Sequence, residues 1–200
     1  MTKAVILRLL SHCDLHPDVE ERPARGGEIK QKIPAFNALS RSYPVVLLTD
    51  LDACDCAPKL KNQLLGGQTC NTNFIINIAV DEAEAWLMAD RHNFASYFKI
   101  PLQSIPQAQP KKQGGRKALI EMDFPVKSSF LLTHSLALQS TDADVRQKVG
   151  RTDRNCKGRE YNSSLLPFIR QHWDVDEARK NSDSLDRMIK RIERHADVLK

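Results

Sequence analysis

The 200-residue chain has no apolar run approaching the roughly 18 residues that a membrane-spanning helix needs. Its opening stretch, MTKAVILRLLSHCD, has neither a long h-region nor a small-residue cleavage site, so it does not read as a signal peptide. These two absences lead to the expectation of a cytoplasmic protein with no membrane partner. The five cysteines (Cys13, Cys54, Cys56, Cys70 and Cys156) are odd in number and lack the spacing of a disulfide framework. Cys54 and Cys56 lie too close together for a zinc knuckle, and no CxxC or paired-His motif completes a site, so reduced thiols are expected. The six histidines are scattered without metal-ligand spacing. There is no Walker A loop, no GxGxxG and no Ser-His-Asp order, and the Gly66-Gly67 and Gly114-Gly115 pairs read as turns. Internal repeats and low-complexity tracts are absent as well. The formal charge of +5 is mild; it permits a polyanionic partner without demanding one.

Hydrophobic spacing gives the organisation. Val5, Ile6, Leu9 and Leu10 predict a helix over residues 3–11, followed by a polar loop. A second helix is expected over 29–42, with Pro34 in its first turn, where a missing N–H costs little. Within PVVLLTDLD (44–52), Val45–Leu48 form a continuous apolar run of strand length, and NFIINIAV (73–80) has the same character, the pattern of strands buried on both faces. Between them APKLKNQLL is helix-like and stops at Gly66-Gly67. Residues 44–80 therefore predict a right-handed βαβ unit with parallel strands. Past residue 100, PLQSIPQAQPKKQGG reads as a linker. RKALIEMDF, SSLLPFIRQHW and SDSLDRMIKRIERHADVL read as helices, the last capped by Ser182 or Asp183. LLTHSLALQSTDADVRQKV is expected to be helical in part, and Trp86 and Trp173 to lie in the core. The fold class is α/β: a small parallel sheet flanked by helices over 1–99, then a mainly helical region over 100–200 packed on it.

The chemistry is expected where the two strands end. Ligands of parallel α/β sheets bind outside the carboxyl ends of the strands. Asp50 and Asp52 close the first run and point the same way, because side chains alternate along an extended chain. Glu82 and Glu84 follow the second run and share a face if extended, whereas only one aims at the site if a helix has begun. Four gathered carboxylates repel one another unless a hard cation neutralises them, and oxygen-only donors favour Mg²⁺ or Mn²⁺. The blander reading is helix capping, which is the better account of Asp55, Asp81 and Asp90.

LLTDLD followed by IAVDEAEAWLMAD resembles the Toprim-like fold of OLD-type nucleases, which carries a DxD motif and a further acidic motif after the next strand. TDLD, VDEAEAWLMAD, GREYN (158–162) and HWDVDEARKNSDSLDRMIKRI look like a bacterial family of Toprim-related proteins, often encoded beside ABC-type ATPases in settings suggestive of phage defence. The resemblance implies a Mg²⁺-dependent phosphodiester nuclease with water as nucleophile. Asp50 and Asp52 match the DxD pair, and Glu82 or Glu84 the later acidic position. Its partners would be nucleic acid, DNA before RNA, and an ABC/OLD-type ATPase. Toprim folds begin with a strand ending in Glu. This chain opens on what resembles the helix after it, so the expected core lacks that strand and that ligand, and a strand edge is left unpaired. Glu20, Glu21 and Glu28 lie in the wrong place to substitute. The missing Glu keeps a second reading open, a non-catalytic Toprim scaffold docking on an ATPase partner. A phosphatase-like use of DxD is a third, weaker reading, because nothing fixes its remaining residues.

Two basic groups complete the expected surface. Lys111, Lys112, Arg116 and Lys117 form a patch in the Pro/Gly-rich segment, and Arg151, Arg154, Lys157 and Arg159 surround GREYN. Of these, Lys111, Lys112, Arg116, Lys117, Arg154 and Arg159 are the expected contacts to nucleic-acid phosphates, with solvated loops as the alternative. The Gly-x-x-Tyr-Asn turn reads as a phosphate binder, an orienting element for the acidic site, or a structural turn with Tyr161 packed on the core.

Overall fold

The computed structural model describes residues 1–22, 24, 27–111, 118–151 and 157–200. Strands β1 (Val45–Asp50) and β2 (Phe74–Ala79) pair in parallel, Val45 opposite Phe74 through Asp50 opposite Ala79. Helix α3 (Ala57–Leu65) joins them, with Pro58 in its first turn and Gly66 ending it in the left-handed conformation at φ 56°. This is the βαβ unit expected from the two apolar runs, but only β2 is buried throughout as expected; in β1 Leu47 alone is buried and its neighbours are half-buried. Period-2 geometry then gives β2 two different faces. Phe74, Ile76, Ile78 and Val80 pack with Ile33 and Leu65, from α2 (Gly27–Leu39) and α3. Ile75 and Ala79 face the larger core.

That larger core runs from Ala4 to Leu199 and draws on both expected segments of the chain. Helix α1 (Thr2–His12) contributes Val5 and Leu9, α4 (Ala83–Ala89) contributes Trp86, and α5 (Arg91–Phe98) contributes Phe94 and Phe98. From the other half, α6 (Ser128–Leu131) continues through a wider turn over Leu132–Leu136 and a tighter one over Ala137–Gln139, and α7 (Ala143–Lys148) follows. Then α8 (Tyr161–Pro167) runs on into a wider turn over Phe168–His172, and α9 (Val175–Lys180) follows. Last, α10 (Asp183–Arg194) buries Leu185, Met188, Ile189 and Ile192 on one stripe. Trp86 and Trp173 are fully buried, as expected. No described helix is long and apolar enough to cross a membrane.

Three local expectations are corrected. Helix α2 begins at Gly27 and ends at Leu39, so Pro34 sits in its interior and not in its first turn. There the ring removes one i→i−4 hydrogen bond and crowds the carbonyl of Lys30. Of the helix expected over 116–124, residues 116 and 117 lie outside the described residues and the rest is not helical: β4 (Leu119–Met122) pairs antiparallel with β3 (Ala108–Lys111), which lies inside the stretch expected to be a linker. The reason is Glu121, only 1% exposed, which looks in sequence like the polar face of a helix but points inward. Its two oxygens accept hydrogen bonds from Ser182 Oγ at 2.7 Å and the Ser184 N–H at 2.6 Å. Thirdly, the extended chain does not continue to Asp52. It turns after Asp50, and Asp52 is left-handed at φ 48°.

The first turn of α10 is thereby tied into the fold. Ser182 caps it by accepting from the Leu185 N–H, and Asp183 accepts instead from the Ile120 N–H. Trp86 Nε1 donates to Ser184 Oγ at 2.8 Å. On the other side of β2 the ladder uses alternate residues, so the Ile76 carbonyl faces away from β1. Arg191 reaches it, donating Nη1 to Ile76 O at 3.1 Å and to Asn77 Oδ1 at 2.9 Å.

Candidate functional site

Because β1 and β2 are parallel and in register, their carboxyl ends lie side by side. Asp50 is the last residue of β1, and the Ala83 N–H, opening α4, faces its carboxylate and favours the ionised form. Among the described residues Asp50 forms no ion pair, while its neighbours are acidic. Burial first, and then the charges of Glu84, Glu82 and Asp52, push its carboxyl from the ordinary 3.8 up to about 6. All four expected carboxylates therefore bear on one point, Glu84 more strongly than Glu82. Helix α4 begins directly after Glu82, so the two glutamates do not share an extended face, yet both act on Asp50.

The backbone is strained at this place. Asp52, Asp81 and Glu82 have φ of 48°, 66° and 83°, three of the five non-glycine positive values among the described residues. Glu82, with ψ 163°, occupies a region that is essentially glycine's, at a cost of about 1–3 kcal/mol. Its side chain over-determines that conformation: Oε2 accepts from the Ser129 N–H at 2.8 Å and from Ser128 Oγ at 3.1 Å. The single Ser128 hydroxyl proton is shared between Glu82 Oε2 and the closer Asp81 carbonyl, 2.5 Å away.

Lysines ring the carboxylates. Lys127 Nζ pairs with Asp52 at 2.7 Å, Lys111 Nζ with Asp81 at 2.8 Å, and Lys157 Nζ with Glu84 at 3.2 Å. Glu84 is nearly fully buried and also accepts from the Tyr161 hydroxyl at 2.9 Å. Burial and the Glu84 charge keep that phenol protonated. The structural reading of the GREYN turn holds, since Tyr161 is packed in the larger core, and its hydroxyl together with the preceding Lys157 also ties the turn to Glu84. Gly158 makes this possible, since a Cβ there would collide with the Lys148 carbonyl and approach the Gly150 carbonyl at 2.7 Å. Gly158→Ala is expected to destabilise the protein by about 1–2 kcal/mol through overpacking. It should also displace Tyr161 from Glu84, readable as a loss of the phenol's protection in a tyrosine ultraviolet titration. An unchanged melting curve would remove Gly158 from this role.

The remaining expected residues separate clearly. Lys111 reaches the site, and Arg159 is exposed. Lys112, Arg116, Lys117 and Arg154 lie outside the described residues. Asp55 pairs with Lys59 on the surface. Asp90 is structural: its Oδ2 accepts from Asn93 Nδ2 at 3.0 Å and from the Asp174 N–H at 2.8 Å, holding α4 and α5 to α9. Sequence reasoning missed Lys127, Ser128 and Ser129. Their only local signal is Lys-Ser-Ser opening a short helix, and nothing in it points to carboxylates some 46 to 75 residues away.

The donor set consists of carboxylate oxygens with an excess of negative charge at Asp50, which suits a hard divalent cation. As the side chains stand, no three His, Cys, Asp or Glu among the described residues are grouped to hold one. Lys127, Lys157, Tyr161 and the serines occupy carboxylate oxygens that a cation would share. No family model, curated protein or solved structure matches the chain.

Proposed function

We propose that the acidic site is a Toprim-like, Mg²⁺- or Mn²⁺-dependent centre for hydrolysis of phosphodiesters in nucleic acid, acting in phage defence with an ABC/OLD-type ATPase partner. The observation that carries it is the charge surplus at Asp50: a half-buried carboxyl at the mouth of a parallel sheet, with three acidic neighbours and, among the described residues, no ion pair. Strain concentrated on Asp52, Asp81 and Glu82 supports a site shaped for more than stability. Asp50 and Asp52 would hold the cation, with Glu84 or Glu82 beside them. When bound, the ion supplies positive charge to the phosphoryl oxygens as negative charge develops on them. Glu82, fixed by Ser128 and Ser129, and Glu84, fixed by Tyr161, keep two carboxylates oriented toward Asp50. Lys127, Lys157 and Lys111 bring three ammonium groups to the rim, where they favour a polyanion electrostatically.

One observation favours the non-catalytic reading. Asp52, Glu82 and Glu84 each already have protein partners, so the network is satisfied without a cation. A scaffold docked on an ATPase would need nothing more.

The deciding experiment is a metal-titrated cleavage assay on single- and double-stranded DNA and on RNA. Cleavage is expected to depend on Mg²⁺ or Mn²⁺ and to vanish in Asp50→Ala, with its circular dichroism unchanged. Equal cleavage by Asp50→Ala sinks the catalytic assignment. No cleavage by the wild type, combined with co-purification with an ATPase, selects the scaffold reading.

A further inference from the structure

A second feature lies away from the acidic mouth. Between α3, the outer edge of β2 and α10 there is a partly enclosed cleft of about 170 Å³. Its floor is apolar, made by Ile76, Ile78 and Val80 of β2 with Leu119 of β4. A void of this size admits a group about as large as a benzene ring.

Its charged lining is of one sign. Lys61 stands on the α3 side, Arg187 and Arg191 on the α10 side, and among the described residues no Asp or Glu lines the cleft. Neither Lys61 nor Arg187 has a hydrogen bond or ion pair among the described residues, although every lysine described around the acidic mouth has one. Arg191 spends Nη1 on the β2 edge and has no carboxylate partner among the described residues. Its guanidinium is pushed below its usual range by burial and by the neighbouring Arg187 and Arg194. Three converging cations over an apolar floor, with none of the carboxylates that pair off such groups elsewhere in the protein, form an arrangement that an anion relieves. Asn62 and Ser184 add polar groups at the wall.

We propose that this cleft binds a phosphate monoester with a ring-sized apolar body, its dianionic head between Lys61, Arg187 and Arg191 and its body on Ile76, Ile78 and Val80. Three cations match a dianion better than a carboxylate, and the floor takes what inorganic phosphate lacks. The inference is independent of the acidic mouth, none of whose carboxylates lines the cleft.

The test is an amide NMR titration of the full chain with phenyl phosphate, benzoate, phenol and inorganic phosphate. Phenyl phosphate is expected to give saturable shifts centred on Lys61, Ile78, Ser184 and Arg187. Benzoate, phenol and inorganic phosphate should each bind at least about tenfold more weakly, the loss of one good charge-assisted contact or of the apolar burial. The Lys61→Glu/Arg187→Glu double variant, both positions lying on the accessible rim, should lose binding while keeping the wild-type spectrum elsewhere. If that spectrum is not kept, Lys61→Gln/Arg187→Gln serves in its place. The proposal is overturned by the absence of saturable shifts with phenyl phosphate. It is equally overturned by inorganic phosphate or benzoate binding as tightly, or by undiminished binding in the charge-altered variant.

Discussion

In chelated buffer near pH 7.5, Asp50→Asn is expected to melt higher than the wild type, and in the same variant Mg²⁺ should no longer raise the melting temperature. Burial and three acidic neighbours lift the Asp50 carboxyl from 3.8 to about 6. A carboxyl whose folded pKa is raised favours folding fully below its unfolded pKa, and that contribution is lost as pH climbs through the folded value. At pH 7.5 the group is ionised against its surroundings. Each tenfold change in proton affinity corresponds to about 1.4 kcal/mol, and the part of Asp50 that reaches solvent is screened, so the penalty is on the order of 2 kcal/mol. Asparagine removes the charge and keeps an oxygen for the Ala83 N–H. For a chain of this size the gain corresponds to about 4–8 °C. With Mg²⁺ the order should reverse, because a cation that binds the folded state alone stabilises the wild type by mass action. A fall in melting temperature for the metal-free variant would contradict the charge surplus. Equal Mg²⁺ stabilisation of both proteins would place the ion elsewhere.

Glu121 sets the pH dependence of the fold far more than its place in a four-residue strand suggests. Burial raises its carboxyl from 4.5 to about 7, against the hydrogen bonds from Ser182 and Ser184 that favour the ionised form. The sign is again that of a raised carboxyl. Its contribution is complete below about pH 4.5 and disappears as pH rises through about 7, a swing on the order of 3 kcal/mol. Glu121→Gln should flatten this part of the stability curve and unfold at higher urea concentration than the wild type at pH 8. The amide can accept from the Ser184 N–H and donate to Ser182 Oγ, so the N-terminus of α10 keeps its partners. Chemical denaturation at pH 5, 6.5 and 8 measures the effect. A wild type equally stable at all three, or a variant that keeps the wild-type slope, would show that Glu121 does not titrate in this range.

The parts of the molecule legible in sequence are those whose causes are local. Phe74–Ala79 reads as an almost wholly apolar run because both faces of β2 are covered, Val45–Leu48 reads as strand although β1 buries only Leu47, and the turn signals at Gly66-Gly67 separate the two. Helix α10 announces itself by the Ser182 cap and the spacing of Leu185, Met188, Ile189 and Ile192. The failures arise where a distant partner decides. Glu121 is buried only because Ser182 and Ser184, some 61 to 63 residues away, receive it, and without them Leu-Ile-Glu-Met reads as helix. The acidic residues could be picked out by type and order. What holds them could not, since Glu84 meets Tyr161 across 77 residues and Asp52 meets Lys127 across 75. Extrapolating the strand by two residues also put Asp52 on the Asp50 face, although a left-handed turn intervenes.

The bond from Arg191 to the Ile76 carbonyl has a consequence for self-association. A short ribbon of β-branched residues with an open flank is a template onto which another molecule's strand can add. A guanidinium seated on that flank, with Arg187 and Arg194 near it on the same helix, meets an incoming strand with steric bulk and positive charge. The arginine thus works as a gatekeeper, keeping β2 a solitary partner of β1 rather than the seed of a larger sheet.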